Sequence, residues 1–537
     1  MTIASPIELL DDCASKNRIS FRFLPNDRES HTVSQLAQEA LRISSSLSID
    51  YSDFDTIAVI FSSSFECLAF VLGAWGAGIE VTSLPYPARG LDPMSYVTQI
   101  ETMCSIVNAK ALFVGEELLS LVPDTVSIKV KSFGELSSHS SLGHFSGCGS
   151  FVQFTSGSTR EPKGVRLSPS AIGTNINAIS ERIEPRDYEV ACSWLPLSHD
   201  MGFIGIVLVA LACGAEPWGT SGQVVLMDPT CFLQRPSLWL DTWSNCGATI
   251  TATPPFGLSL AARSLNSSSN NHSNLDLSRM RVCIIGGELI REEVLINFAD
   301  KTASLGFNPT ALCPAYGLAE ATLAVSMVSP DEMWSANTIE ETSDLESAKF
   351  SQGTSWVCCG KPLAGMNVRV SGNGQVGKLE LASQSLFDGY VMEEISPKVS
   401  PWQEIQDEKW FRTSDLGFLD SGQVHVVSRS DNMLIIAGRN LPAEDVEWVV
   451  SSHETVRDGC CAAVADGNGG YIVVAEPSSI VPDSEIQQAQ HDIRVLLTRQ
   501  LSIAPTDVTF IERGGLPKTP SGKIQRWKLL ELLNHLE

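Results

Sequence analysis

The sequence predicts an α/β protein: a large N-terminal domain of α/β subdomains that includes a small β subdomain, then a small C-terminal α+β domain. Three observations predict it. Short apolar runs alternate with helical patterns through the first four hundred residues, with glycine turns between them. After Gly360 the pattern changes to short β runs. Past Ser430-Asp431 come about a hundred residues, the size of a small domain.

Each element has its own signal. Thr56 to Phe61 reads as a strand, Cys67 to Gly78 as a helix and Ile79 to Thr82 as the next strand. Arg281 to Ile285 reads as a strand ending at Gly286-Gly287, with Glu288 to Ala299 as the following helix. Strand, glycine turn and helix repeated this way predict largely parallel sheets, whose ligands gather at the strand C-terminal ends. Asn367 to Val370 and Gly377 to Leu381 are the β runs of the subdomain. The last domain reads as Asn432–Ile436, a helix Ala443–Ser451, Cys460–Val464, Tyr471–Ala475, a long helix Asp483–Gln500 and Val508–Ile511. Ser137–Ser150, Ser264–Asn274 and the acidic stretch Asp331–Gln352 read as surface loops.

Composition narrows the function classes. The 537 residues exceed one ordinary core, so two or more domains are expected, 1–429 and 430–537. A net charge of −25 repels nucleic acid and anionic membranes, so neither is an expected partner. The longest apolar run, Phe203 to Ala215, has 13 residues, too few to span a bilayer, and reads as a buried core helix. The first residues, MTIASPIELLDDC, lack a basic region followed by an apolar one, so no secretory signal is read there. The 14 cysteines form no CxxC pair and read as free thiols in a reducing cytoplasm.

The segment Val152 to Leu167, VQFTSGSTREPKGVRL, carries the clearest chemistry. An apolar strand runs into hydroxyl and glycine residues whose backbone N–H groups can turn inward as an anion-binding nest. Lys163 adds a point charge on a long stem. Taken alone, such a loop is more often a surface turn.

Six further segments follow in order: Trp194 to Gly202 (WLPLSHDMG), Ile285 to Glu288 (IGGE), Ala315 to Thr322 (AYGLAEAT), Arg412 to Gly417 (RTSDLG), Ser428 to Asp431 with Gly438 to Asn440, and Pro517 to Lys523 (PKTPSGK). Together with the loop they resemble the motifs of the adenylate-forming superfamily of acyl-CoA synthetases, adenylation domains and luciferases, over nearly the whole chain. The resemblance implies ATP and Mg2+ as cofactors. It implies that Thr155, Ser156, Gly157, Ser158, Thr159 and Lys163 hold the β- and γ-phosphates. Glu320 would bind Mg2+, with Thr155 beside it, and Tyr316 would stack on adenine between Ala315 and Gly317. The turn Gly286, Gly287, Glu288 would frame the ring, and Asp415 with Arg429 would hold the ribose. Lys523 would bridge the carboxylate and the α-phosphate, and Ser430-Asp431 would be the hinge of a mobile C-terminal domain. PKTPSGKIQR is not a Walker A loop, since Pro517 stands where the first glycine belongs and Ile524 where Ser or Thr does. Singly, Tyr316 reads as a core tyrosine, Glu320 as a solvated acid and Asp415 as a turn former.

Val224 to Leu260, with Leu195–Gly202 and Ala319–Leu323, resembles the fatty acyl-AMP ligase branch. That branch implies a fatty acid substrate and a phosphopantetheinylated acyl carrier protein as acceptor. It also implies a gate on the acyl tunnel at His199, which alone reads as a structural histidine. Asp331–Gln352 is the candidate for the branch's extra segment. Arg160-Glu161, Ser414 and Pro255 depart from the branch pattern and leave substrate choice open. An acyl-CoA ligase and an enzyme adenylating an aryl or amino acid are the alternatives. A non-catalytic carrier-docking protein would predict loss of Lys523, Asp415 or Glu320, and all three are present. From Ile511 to Lys528, Arg513, Lys518, Lys523, Arg526 and Lys528 oppose only Glu512, a basic patch suited either to ATP or to an acidic carrier.

Overall fold

The computed structural model describes residues 5–529 apart from 27–28, 88–92, 123–125, 137–143, 156–161, 267–273, 339–354, 373–374, 392–401, 406–407, 437–438, 502 and 519–523. Two large sheets dominate. One has nine strands in the order Lys361–Pro362, Ala324–Met327, Leu312–Gly317, Val282–Ile285, Ile250–Thr253, Tyr188–Ser193, Ser221–Met227, Ile19–Leu24 and His31–Thr32. The other has seven: Gly389–Val391, Lys163–Leu167, Phe151–Thr155, Glu80–Leu84, Thr56–Ile60, Leu112–Val114 and Val130–Ser132. Central pairs in both are parallel, as the strand–turn–helix alternation predicts.

The apolar run from Phe203 is buried as expected, but it opens as a π-helical stretch, Phe203–Leu208, before the α-helix Val209–Gly214. The Phe203 ring lies 5.4 Å from Phe61, 5.5 Å from Phe151 and 5.6 Å from Trp75. It therefore ties the helix after the His199 turn to the seven-stranded sheet. Deleting so buried a ring costs ~3–5 kcal/mol. The helix expected over Glu288–Ala299 begins only at Glu292 and runs to Thr302. Gly287 has φ +79 and Arg291 is extended, so the four residues after the glycine turn leave the sheet before the helix can start.

The β subdomain is a sheet of Asn367–Val370, Gly377–Ala382, Glu408–Asp420 and Trp402–Ile405, with Gln423–Arg429 pairing antiparallel to Glu408–Asp420. The stretch read as an unpatterned loop, Asp331–Gln352, contains a strand, Ala336–Thr338, paired with Ser355–Val357. One core cluster reaches from Ile7 to Val424, while two others draw only on Leu434 to Leu529. In that last part Ala443–Ser451 and Asp483–Leu501 are helices beside the sheet Val456–Ala465, Tyr471–Pro477 and Asp507–Phe510. All 14 cysteines are free. Among the described residues no helix is long and apolar enough to cross a membrane.

Candidate active site

Phe151–Thr155 and Lys163–Leu167 form an antiparallel pair, and Lys163 sits directly opposite Thr155. The predicted phosphate loop is thus a hairpin connection at a strand C-terminal end. Ser156, Gly157, Ser158 and Thr159 lie outside the described residues, as does the side chain of Thr155. Gln153, one turn of the pleat before Thr155, is buried. Its Nε2 donates to the Ser198 carbonyl at 2.7 Å, joining the strand to the turn that carries His199. Asp200 Oδ1 lies 2.6 Å from His199 Nδ1 and accepts the Met201 N–H at 2.7 Å. The imidazole is therefore oriented by its neighbour.

The strands Val282–Ile285 and Leu312–Gly317 end side by side. Glycine is required at both ends. Gly287 is left-handed, and a Cβ on Gly317 would stand 1.9 Å from the Leu323 carbonyl oxygen. Glu288 is exposed beyond the turn. A bulge between Tyr316 and Gly317 re-aims the strand end. Tyr316 is buried, and its hydroxyl donates to Asp415 Oδ2 at 2.7 Å. Arg429, paired with Asp415 across the hairpin, brings Nε to 3.4 Å from Oδ1. Burial, then the Asp415 carboxylate, pushes the Tyr316 phenol well up, so it stays a donor. Burial alone would lower Arg429, but Asp415 and Glu320 outweigh it and hold the guanidinium charged. A carboxylate has about four lone-pair directions, so Asp415 with these two partners can still accept from two hydroxyls of a vicinal diol.

Glu320 follows on the short turn Ala319–Ala321. Its Oε1 accepts the Tyr390 hydroxyl at 2.7 Å. Burial raises its carboxyl above the usual range, and the Tyr390 hydrogen bond opposes that. Lys163 Nζ lies 5.8 Å from the centre of the Tyr390 ring. Tyr390 is the member of this site that sequence reasoning missed. Its only signal is an aromatic after a turn dipeptide, Asp388-Gly389.

Among the described residues no group of three or more His, Cys, Asp or Glu is arranged to hold a metal. A lone carboxylate such as Glu320 suits Mg2+, which keeps waters and takes one or two carboxylates plus substrate phosphates.

Ser430–Asn432 is a single 3-10 turn after the strand Gln423–Arg429. Glu444 reaches across it, accepting from Ser428 Oγ at 3.1 Å and Asn432 Nδ2 at 2.6 Å, while Arg291 pairs with Asp445. Lys523 lies outside the described residues, but both flanks of its segment are placed. Lys518 and Ile524 form an antiparallel bridge. Lys518 Nζ donates to the Gly459 carbonyl at 2.7 Å and lies 3.1 Å from Cys460 Sγ. Arg526 grips Glu447 with Nη2 at 2.9 and 2.8 Å from its two oxygens. Of the expected basic patch, Arg526 is therefore paired with a carboxylate within the protein, while Lys518 is tied to a neutral carbonyl and keeps its charge.

Two carboxylates, Asp415 with acceptor capacity to spare and Glu320, and the Lys163 ammonium thus gather at strand ends of an α/β fold, where ligands of such sheets bind. The model described as AMP-binding enzyme matches residues 11–391, and the chain belongs to that family. It is an adenylate-forming ligase. The 4-hydroxyphenylalkanoate adenylyltransferase of Mycobacterium tuberculosis is 26% identical, with 100% of this chain and 93% of that one covered. The medium-chain-fatty-acid–[acyl-carrier-protein] ligase JamA of Moorena producens is 32% identical over 70% of this chain and 66% of that one. A solved structure from work on fatty acyl-adenylate ligases of E. coli and L. pneumophila superposes with a TM-score of 0.85 at 25% identity, covering 98% of this chain and 97% of that one.

Proposed function

We propose that this chain activates a fatty acid with ATP and Mg2+, releasing pyrophosphate, and then passes the acyl group to the phosphopantetheine thiol of an acyl carrier protein. The observation that carries the reading is the joined set Tyr316–Asp415–Arg429 and Glu320–Tyr390 beside Lys163. Asp415 and Arg429 are read as holding the ribose. Tyr316, fixed by its hydroxyl, presents its ring to adenine, with the backbone of Ala315 and Gly286-Gly287 around it. Lys163 and the turn from Thr155 to Thr159 take the outer phosphates. Mg2+ on Glu320 would neutralise phosphate charge. Lys523 is assigned to charge that develops as the carboxylate attacks the α-phosphate, where preorganised charge is most effective. His199, held by Asp200, borders the acyl entrance. The division into 1–429 and 430–537, hinged at Ser430-Asp431, lets the last domain bring Lys523 in and then withdraw it.

JamA supports a fatty acid and a carrier protein, and the adenylyltransferase from M. tuberculosis supports the alternative of an aryl-bearing acid. Pyrophosphate exchange across straight-chain acids and hydroxyphenyl-alkanoates discriminates the two. Exchange with medium or long fatty acids is expected, and silence across the whole panel would end the adenylation reading. Acyl transfer is then offered CoA and a holo carrier protein in parallel. Efficient acyl-CoA formation would move the chain to the CoA-ligase branch.

A further inference from the structure

The strand Gly389–Val391 leaves the β subdomain and joins the other sheet. It runs antiparallel to Lys163–Leu167, with Tyr390 opposite Val165 and Val391 opposite Gly164. The chain leading to it is fastened to the Glu320 turn: the Phe387 N–H donates to the Glu320 carbonyl at 2.9 Å, and the Thr322 hydroxyl to the Ser385 carbonyl at 2.8 Å. One residue later the Asp388 N–H donates to the Arg166 carbonyl at 2.9 Å. The backbone thus straps the Glu320 turn to the strand behind the phosphate loop. The Tyr390 side chain repeats the connection. Its hydroxyl reaches Glu320 Oε1 at 2.7 Å, and its ring faces Lys163 Nζ at 5.8 Å. Phe387 packs across that ring at 4.8 Å and 63°.

We propose that Tyr390 is a positioning residue of the metal–phosphate centre: its hydroxyl orients Glu320 for the divalent cation of the nucleotide, and its ring steadies Lys163 beside the phosphate loop. The proposal rests on the adenylate-forming reading above. A glutamate at a turn has three side-chain torsions to fix, and a short charge-assisted bond to one oxygen fixes them. It also commits that oxygen to protein and leaves the other for a cation. Partners that orient a metal ligand in this way typically matter 10–100-fold in metal affinity. The cation–ring contact lies near the outer limit of such interactions, so the ring is assigned the smaller share.

The test uses the full chain and α,β-methylene-ATP, which cannot donate its adenylyl group because its α–β linkage does not cleave, titrated calorimetrically with and without Mn2+. Tyr390→Phe keeps the ring and loses the hydroxyl. It should leave metal-free binding within about twofold of wild type and weaken Mn2+-supported binding about tenfold. The Mg2+ needed for half-maximal pyrophosphate exchange should rise by a similar factor. Tyr390→Leu should weaken metal-free binding as well. Glu320→Gln and Glu320→Gln/Tyr390→Phe should match one another, because the hydroxyl acts through that carboxylate. An unchanged Mn2+ dependence in Tyr390→Phe overturns the proposal, and so does an equal loss with and without Mn2+, the mark of a merely structural tyrosine. A wild type that binds the analogue in neither condition overturns the adenylate-forming reading itself.

Discussion

Asp415 and Glu447 are covered to nearly the same degree, with side-chain exposures of 13% and 15%, and each faces an arginine. Their surroundings differ. Arg429 is 47% exposed and meets Asp415 with one nitrogen at 3.4 Å, so acceptor capacity remains at the mouth of the site. Arg526 is 20% exposed and takes both Glu447 oxygens, and the Ala463 N–H takes Oε1 again at 2.9 Å. Burial pushes the Glu447 carboxyl up to about 7, against the pull of Arg526. One carboxylate is left open to a ligand, and the other is used up in holding the flank of the Lys523 segment. Equal burial of the same group therefore says little about its role; the number and geometry of its donors decide it.

Removing the lysine that this flank presents should have the largest effect on rate. Lys523→Ala is expected to lower the pyrophosphate-exchange kcat ~10²–10³-fold with little change in KM for ATP. Near-normal single-turnover adenylation would show that the Glu447 clamp presents no catalytic group.

Arg526→Ala comes next, now on stability. Breaking a buried pair from one side costs ~3–5 kcal/mol, and the low end is expected here because Glu447 can take up a proton. The loss should be greater at pH 8 than at pH 6 in denaturant melts followed through Trp448 or Trp527. An equal loss at both values would contradict the account of Glu447.

Asp415→Ala should raise KM for ATP about tenfold, since hydrogen bonds to a charged group contribute ~1.5–3 kcal/mol. It should also cost some stability, by orphaning the Tyr316 hydroxyl. If stability falls while KM holds, Asp415 is a structural acid like Glu447 and the contrast between the two collapses.

Glu447→Gln sharpens the comparison through pH. A folded carboxyl near 7, against an ordinary value of 4.5, means that the folded state holds a proton the unfolded state has lost between those values. Stability from this group is complete below about 4.5 and declines as pH rises towards 7. Glu447→Gln should remove that decline, and a variant whose slope equals that of wild type would refute it.

The smallest effect is assigned to Lys528→Ala. Its exposed ammonium lies 5.3 Å from the Trp527 ring centre and, unlike Arg526, makes no ion pair among the described residues. Acyl transfer to an acidic carrier should slow a few-fold at low salt, with the difference vanishing at high salt. A salt-independent change would point away from electrostatic docking.

Much of this protein was legible in one dimension because local physics wrote it there. Alternation of apolar runs with glycine turns implies parallel sheets, and the central strand pairs are parallel. Ala443–Ser451 was bounded correctly because Pro442 precedes it and its apolar spacing is regular. Gly286-Gly287 reads as a strand end in the sequence, and Gly287 is left-handed there, a conformation that side chains rarely adopt. The helix after Gly287 starts four residues later than its sequence pattern predicts, because a left-handed turn permits either a helix or an extended exit and only packing chooses.

The chain by itself determined the class of fold, the order of the motifs and the residue types a nucleotide site needs, since those follow from periodicity, backbone freedom and charge. Tertiary structure alone decided which of these groups stay available. The pairing of Asp415 with Arg429, the use of Lys518 and Arg526 inside the last domain, and the placing of Tyr390 between Glu320 and Lys163 all join residues distant in sequence. No local pattern encodes such contacts. Hydrogen bonds and ion pairs act over a few ångströms in space: a subdomain hairpin sets Asp415 beside Arg429, packing inside the last domain engages Lys518 and Arg526, and the crossing of a subdomain strand into the seven-stranded sheet places Tyr390.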